Sequence, residues 1–307
     1  MTRTAFIFPG QGSQYVGMGK DLAEKFSQAK EIYAKANDIL GYDLSAISFL
    51  GPEETLTQTQ YTQPALYTHS LIVAELLKEN GILAEAVAGH SLGEFSALGY
   101  AGAYDFEVGL KLVHERGTLM QSAGKAVKGA MAAIIGLDAD VVINLCKEAE
   151  SVGIVQAANF NSPAQIVISG SSEGVDKAME LAKNAGAKRT LKLPVSGAFH
   201  SPLMNSAANL FQDILGNIQF NDLSIPVFAN VTAQAYTSVD EIGQLLCKQL
   251  THSVRWIETI ENMIQNGISR FIEVGPNKVL AGLVKRINRD IEVISLGSVE
   301  TIESIQS

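Results

Sequence analysis

Long apolar runs are missing from this chain: none approaches the roughly 18 residues of a membrane-spanning helix, so no span is expected. Cysteine is almost absent. Cys146 and Cys247 stand far apart, with neither Cys-x-x-Cys nor Cys/His ligand spacing, which excludes a disulfide framework and leaves no motif for zinc or another metal. Positive charge is in the minority, 23 Lys and Arg against 32 Asp and Glu, and a net charge of −9 argues against general nucleic-acid binding, which needs clustered cations. The segment up to Phe8 enters a strand-like pattern without the longer apolar core and small-residue cleavage site of a secretory signal, so cytoplasmic residence is the expectation. What the 307 residues do hold is a composition 47% hydrophobic and 18% charged, enough to bury a sizeable core without metals or disulfides.

Short β-rich runs alternate with amphipathic helical ones, which predicts an α/β fold. Strands are expected at Thr4 to Pro9, Ala84 to Ala88, Ile225 to Asn230, Arg270 to Val274 and Glu292 to Leu296. Helices are expected over Val16 to Leu40, Gln63 to Asn80, Gly93 to Ala101, Phe106 to Ser122 and Val239 to Leu250. The small-residue stretch Ala123 to Gly129 reads as a mobile boundary. Beyond it, runs at 130–137, 138–151, 153–160, 165–169, 172–185 and 188–195 follow the order β-α-β-β-α-β of a ferredoxin-like unit. The expected organisation is a large α/β-hydrolase-like domain from residues 1–123 and 196–307, with a parallel sheet at its core, interrupted by a small ferredoxin-like subdomain at 124–195. A cleft between the two is the default ligand site.

Gly89-His-Ser91-Leu-Gly93 lies where the second strand gives way to a helix. Gly-x-Ser-x-Gly in that setting puts a serine on a strained turn with its hydroxyl exposed, and the following helix aims unpaired N–H groups toward it. A serine nucleophile needs a base, and five histidines are available. His90 points away from its neighbour on a sharp turn, His69 reads as packing or capping mid-helix, His114 as facing solvent, and His252 as structural. His200, on the loop between the small unit and the resumed large domain, is the remaining candidate. Gly10-Gln11-Gly12 lacks the third glycine of a dinucleotide loop, since Tyr15 stands in its place; the loop could instead approach a reacting oxygen with the Gln11 N–H, or be a plain turn.

Taken together, Phe8-Pro-Gly-Gln-Gly-Ser-Gln14, Gly89-His-Ser-Leu-Gly-Glu94, Arg116, Gln156-Ala-Ala-Asn-Phe-Asn-Ser-Pro163, Gly197-Ala-Phe-His-Ser201 and Lys248-Gln249 resemble, in order and spacing, the bacterial malonyl-coenzyme A:acyl carrier protein transacylases of fatty acid synthesis, over roughly residues 3 to 290. The resemblance implies Ser91 as nucleophile, His200 as base and the Gln249 main-chain carbonyl as its orienter. It implies the N–H groups of Gln11 and Leu92 as the oxyanion hole and Arg116 as the malonyl carboxylate ligand. Asn159 would lie near the active site, and Phe199 would fill the space an α-methyl needs. Implied too are malonyl-coenzyme A as substrate, an acidic acyl carrier protein as transient partner, no metal or bound cofactor, and a monomer. Lys188, Arg189, Lys192, Lys285, Arg286 and Arg289 are candidates for docking the carrier. Ser253, where many relatives carry proline, is a departure. A serine esterase or thioesterase would need an acidic group behind the histidine and no Arg116; a polyketide trans-acyltransferase or a non-catalytic binding module are further alternatives.

Overall fold

The computed structural model describes residues 2–195 and 197–305. Nine strands are present among them: β1 Thr4–Phe8, β2 Ala86–Gly89, β3 Gly129–Ile135, β4 Val155–Ser162, β5 Gln165–Ser171, β6 Arg189–Lys192, β7 Val227–Phe228, β8 Arg270–Val274 and β9 Glu292–Leu296. Five form a parallel sheet in the order β7-β2-β1-β8-β9. Strand β1, Thr-Ala-Phe-Ile-Phe, is buried throughout: Phe6 and Phe8 join one core cluster, Ala5 and Ile7 another. Burial on both faces is why the strand shows no polar alternation.

The other four strands form an antiparallel sheet in the order β4-β5-β3-β6, with helices Ala139–Ala149 and Ser172–Asn184 as the two crossovers, which is the ferredoxin-like arrangement. Alternation here is informative. Ala132 and Ile134 of β3 pack against those two helices, whereas Met131 and Ala133 face the main core, so one face of this sheet is turned toward the large sheet's helices.

Several expectations need correction. Ala123 to Gly129 is not a mobile break: the helix Phe106–Ala126 runs through most of it, favoured by its alanines, and Gly124 is held by the close approach of Gly197, whose added Cβ would lie 3.0 Å from Gly124 Cα. The expected helix from Val16 to Leu40 is two, Lys20–Lys25 and Ser27–Leu40, because Gly17 and Gly19 take positive φ and Phe26 is extended. The helix around Pro64 begins a turn earlier, at Thr59, which moves Gln63 from its first position to its second turn. Helices Leu44–Leu50, Asn205–Leu215, Trp256–Gln265 and Val279–Ile287 were not anticipated. The second segment of the large domain was expected to open on Ser196, which lies outside the described residues.

Candidate active site

Three glycines make the serine turn possible. A Cβ on Gly89 would lie 1.9 Å from the Gly93 carbonyl carbon, one on Gly93 would lie 2.0 Å from Phe8 O, and one on Gly10 would lie 2.4 Å from His90 O. Strand β2, the helix Leu92–Tyr100 and the loop after β1 therefore touch backbone to backbone. Ser91 itself stands at φ 52°, ψ −105°, in the left-handed region that L residues avoid, and Asn230 holds it there: its Oδ1 accepts from Ser91 N (2.7 Å) and its Nδ2 donates to Gly89 O (2.6 Å). Asn230 lies just beyond β7, the sheet neighbour of β2.

Ser91 Oγ donates to His200 Nε2 at 2.8 Å, and His200 Nδ1 donates to the Gln249 carbonyl at 2.7 Å. A carbonyl can only accept, so it puts the proton on Nδ1 and leaves Nε2 free to receive one. Burial, then the Arg116 charge, pushes the His200 pKa down to about 3, so the ring is neutral over the physiological range. The group behind this histidine is a main-chain carbonyl, not the carboxylate that the esterase alternative requires. The loop bearing His200, which also has positive φ (57°), is fastened by Gln156, whose Nε2 donates to His200 O (2.7 Å) and Thr251 O (3.1 Å).

Arg116 is only 1% exposed, on the buried face of the helix Phe106–Ala126, and pairs with neither Glu115 nor solvent. Its hydrogen-bond partners are neutral: Nη1 donates to Gln63 Oε1 (2.8 Å), and Nη2 to Gln249 Oε1 (2.7 Å) and Ser91 Oγ (3.1 Å). Among the described residues Nε has no partner. Burial pushes this guanidinium down to about 9, opposed by the Glu94 charge.

Ser91, His200, Gln11, Leu92, Arg116, Asn159 and Phe199 line a cleft of about 150 Å³. Leu92 opens its helix, so its N–H has no carbonyl inside the helix to bond, and Gln11 is a central residue of the turn closed by Ser13 N to Gly10 O (3.3 Å). Asn159 sits at an irregularity of β4, beside Val254; there Ser253 Oγ donates to Ala157 O (2.6 Å), so the serine fastens this loop to β4.

Of the other histidines, His90 also lines the cleft, but its ring is engaged by Asn161, and none of the rest is among the lining residues. His90 Nε2 meets Asn161 Oδ1 (2.8 Å), His69 Nε2 donates to Gly297 O (2.9 Å), and His252 Nδ1 donates to Lys248 O (2.9 Å). His114 was expected in solvent but is half-buried, its ring 5.8 Å from that of Tyr42, because its helix is covered on that side. Gln63, Asn230, Glu94 and Gln156 were not assigned roles in advance. Gln156 and Glu94 fall within motif blocks, but neutral amides such as Gln63 and Asn230 carry no spacing signal.

A doubly covered parallel sheet, a strained serine between strand and helix, and a neutral imidazole within hydrogen-bond reach define a serine–histidine enzyme site of the α/β type. The chain belongs to the acyl transferase domain family, whose profile matches residues 5–302. It is 47% identical over 304 residues to the malonyl CoA-acyl carrier protein transacylase of Bacillus subtilis, covering 99% of this chain and 96% of that one. It is similar in structure to an acyl carrier protein S-malonyltransferase from Vibrio cholerae, with a TM-score of 0.96, 44% identity and coverage of 99% and 100%. A malonyl-transacylase solved in complex with its type II PKS acyl-carrier protein matches with a TM-score of 0.95, 42% identity and coverage of 99% and 98%.

Proposed function

We propose that this acyltransferase moves a malonyl group from malonyl-coenzyme A to the phosphopantetheine thiol of acyl carrier protein, through a malonyl ester on Ser91, to supply fatty acid elongation. Ser91 Oγ attacks the thioester carbonyl while His200 Nε2 takes its proton, the C–S bond breaks, and the coenzyme A sulfur leaves with that proton. The carrier's thiol then gives its proton to His200 and attacks the ester, returning Ser91 as the alcohol. A main-chain carbonyl suffices behind His200, because a thioester is activated and a thiol is a good leaving group. The N–H groups of Gln11 and Leu92 are the donors assigned to the tetrahedral oxyanion, and Asn159 and Phe199 shape the acyl pocket.

The observation that carries this reading is Arg116, a buried cation with only neutral partners and one Nη2 3.1 Å from the nucleophile. An acyl group with a terminal carboxylate can pair directly with that guanidinium, which Glu94 reaches only through the Gln249 amide, whereas an acetyl methyl would leave it without a direct counter-charge. The narrow cleft keeps water from the ester. The route draws on side chains, main-chain groups and the thioester alone, so we assign no metal or bound cofactor.

No helix among the described residues is long and apolar enough to cross a membrane, which accords with the proposed cytoplasmic setting. A monomer is proposed. For the acidic carrier, Lys188, Arg189 and Arg289 are favoured, since Lys192 already pairs with Asp176 (2.7 Å), Lys285 Nζ donates to Ile291 O (2.8 Å), and Arg286 donates to Gln165 (2.9 Å).

Mass spectrometry tests the reading. After incubation with malonyl-coenzyme A, the Ser91 peptide should gain one malonyl and lose it on addition of holo acyl carrier protein. Rapid hydrolysis without an acceptor, or no covalent adduct, would refute it.

A further inference from the structure

Glu94 stands three residues after the nucleophile, in the first turn of the helix Leu92–Tyr100, and is 1% exposed. A carboxylate at a helix start is often there for the dipole. This one is used differently. Its Oε1 accepts from Tyr236 OH (2.6 Å) and its Oε2 from Gln249 Nε2. Removing a carboxylate from water is costly, and here burial pushes the acid up to about 7.

The Gln249 amide is where the two charged groups meet. Its Nε2 donates to Glu94 and to Ser91 O (3.0 Å), and its Oε1 accepts from Arg116 Nη2 (2.7 Å). The two ends of an amide have nearly the same shape and opposite hydrogen-bonding character, so shape alone does not say which end faces the arginine. Both oxygens accept in this geometry, and above its pKa of about 7 the ionised carboxylate can only accept. Facing Gln249, it demands the NH₂ and turns the carbonyl oxygen toward the guanidinium.

We propose that Glu94 is a positioning residue for acyl selection: by holding the Gln249 amide in one direction, it keeps an acceptor on Arg116 and aims Nη2 at the Ser91 oxygen. The inference rests on Arg116 being the malonyl carboxylate ligand. Glu94 touches neither substrate nor the reacting atoms. In Glu94→Gln the new side chain keeps its volume but presents both a donor and an acceptor. Tyr236 can take its carbonyl, leaving its NH₂ against Gln249 and favouring the reversed amide, with a donor against Arg116.

The test compares kcat/KM for malonyl- and acetyl-coenzyme A at about pH 8, where Glu94 is mostly ionised, with holo acyl carrier protein as acceptor, in the full-length parent, Glu94→Gln, Gln249→Ala and the double variant. Circular dichroism checks the fold. The malonyl-to-acetyl ratio should fall about tenfold in Glu94→Gln, the scale of one hydrogen bond to a charged group. It should fall at least as far in Gln249→Ala, and no further in the double variant, because the two residues act through one amide. Equal losses for both donors, a ratio within about twofold of the parent, or multiplying effects would each overturn the inference. Should Glu94→Gln fail to fold, Tyr236→Phe removes one of the donors holding the carboxylate and should lower the ratio about threefold, a weaker effect of the same kind; an unmoved ratio overturns the inference. Failure of the underlying reading is separate: there the parent itself would form no malonyl adduct on Ser91.

Discussion

His200 Nε2 lies 2.8 Å from Ser91 Oγ, although 109 residues separate the two in sequence. The contact crosses from the loop after the small sheet to the turn at the end of β2. A neutral ring in this tautomer is set to accept the serine proton as the oxygen attacks. His200→Ala should therefore slow malonyl-Ser91 formation by about 10³-fold, the usual scale for a general base, read by quenched-flow mass spectrometry. Retention of the parent rate would assign the base elsewhere.

Arg116→Ala removes the cation matched to a terminal carboxylate. The malonyl-to-acetyl ratio of kcat/KM should drop by about 100-fold, the scale of a buried charge-assisted pair, with most of the change on the malonyl side. If acetyl transfer gains nothing relative to malonyl transfer, the carboxylate assignment is wrong.

Gly93→Ala brings a methyl to within 2.0 Å of Phe8 O, where backbone rather than a flexible side chain must yield. A loss of about 3 kcal/mol in urea-derived stability is expected, the upper range for overpacking. A variant of parental stability and activity would mean that the turn is looser than its geometry.

The depressed pKa of His200 couples folding to pH. Between its ordinary value of 6.5 and its folded value of about 3, the unfolded chain binds the proton and the native ring does not, so this group's contribution to stability falls as pH falls. Relative to His200→Ala, the parent should lose about 2 kcal/mol between pH 7 and pH 5, at about 1.36 kcal/mol per pH unit below 6.5. Urea midpoints of both proteins at the two pH values measure the difference, and the raised carboxyl of Glu94, common to both, cancels. A constant gap between the two proteins would show that the native ring titrates normally.

Much of this site is legible in the chain itself. The Gly-x-Ser-x-Gly turn is local, because the demand for glycine comes from backbone contacts within one strand–turn–helix unit and the neighbouring strand end. Strands β8 and β9 match their expected bounds, since each carries two β-branched residues, Ile272 and Val274 in one and Val293 and Ile294 in the other, and is bracketed by turn formers. Only the last turn of the helix Phe106–Ala126 is not legible, because Ala and Gly beside a lysine look like a linker until the Gly197 loop is packed against them.

Sequence alone determined the α/β alternation, the strained serine and the short set of histidines able to serve it, since each follows from local residue chemistry. Tertiary structure decided which neutral groups complete the site. The Gln249 carbonyl is a backbone atom that every residue type has, so no letter marks it. Gln63, Asn230 and Gln156 are amides whose meaning depends on what stands opposite, and those partners come from distant segments. A buried guanidinium among neutral partners is likewise a property of packing: the same arginine on an exposed helix face would simply be solvated.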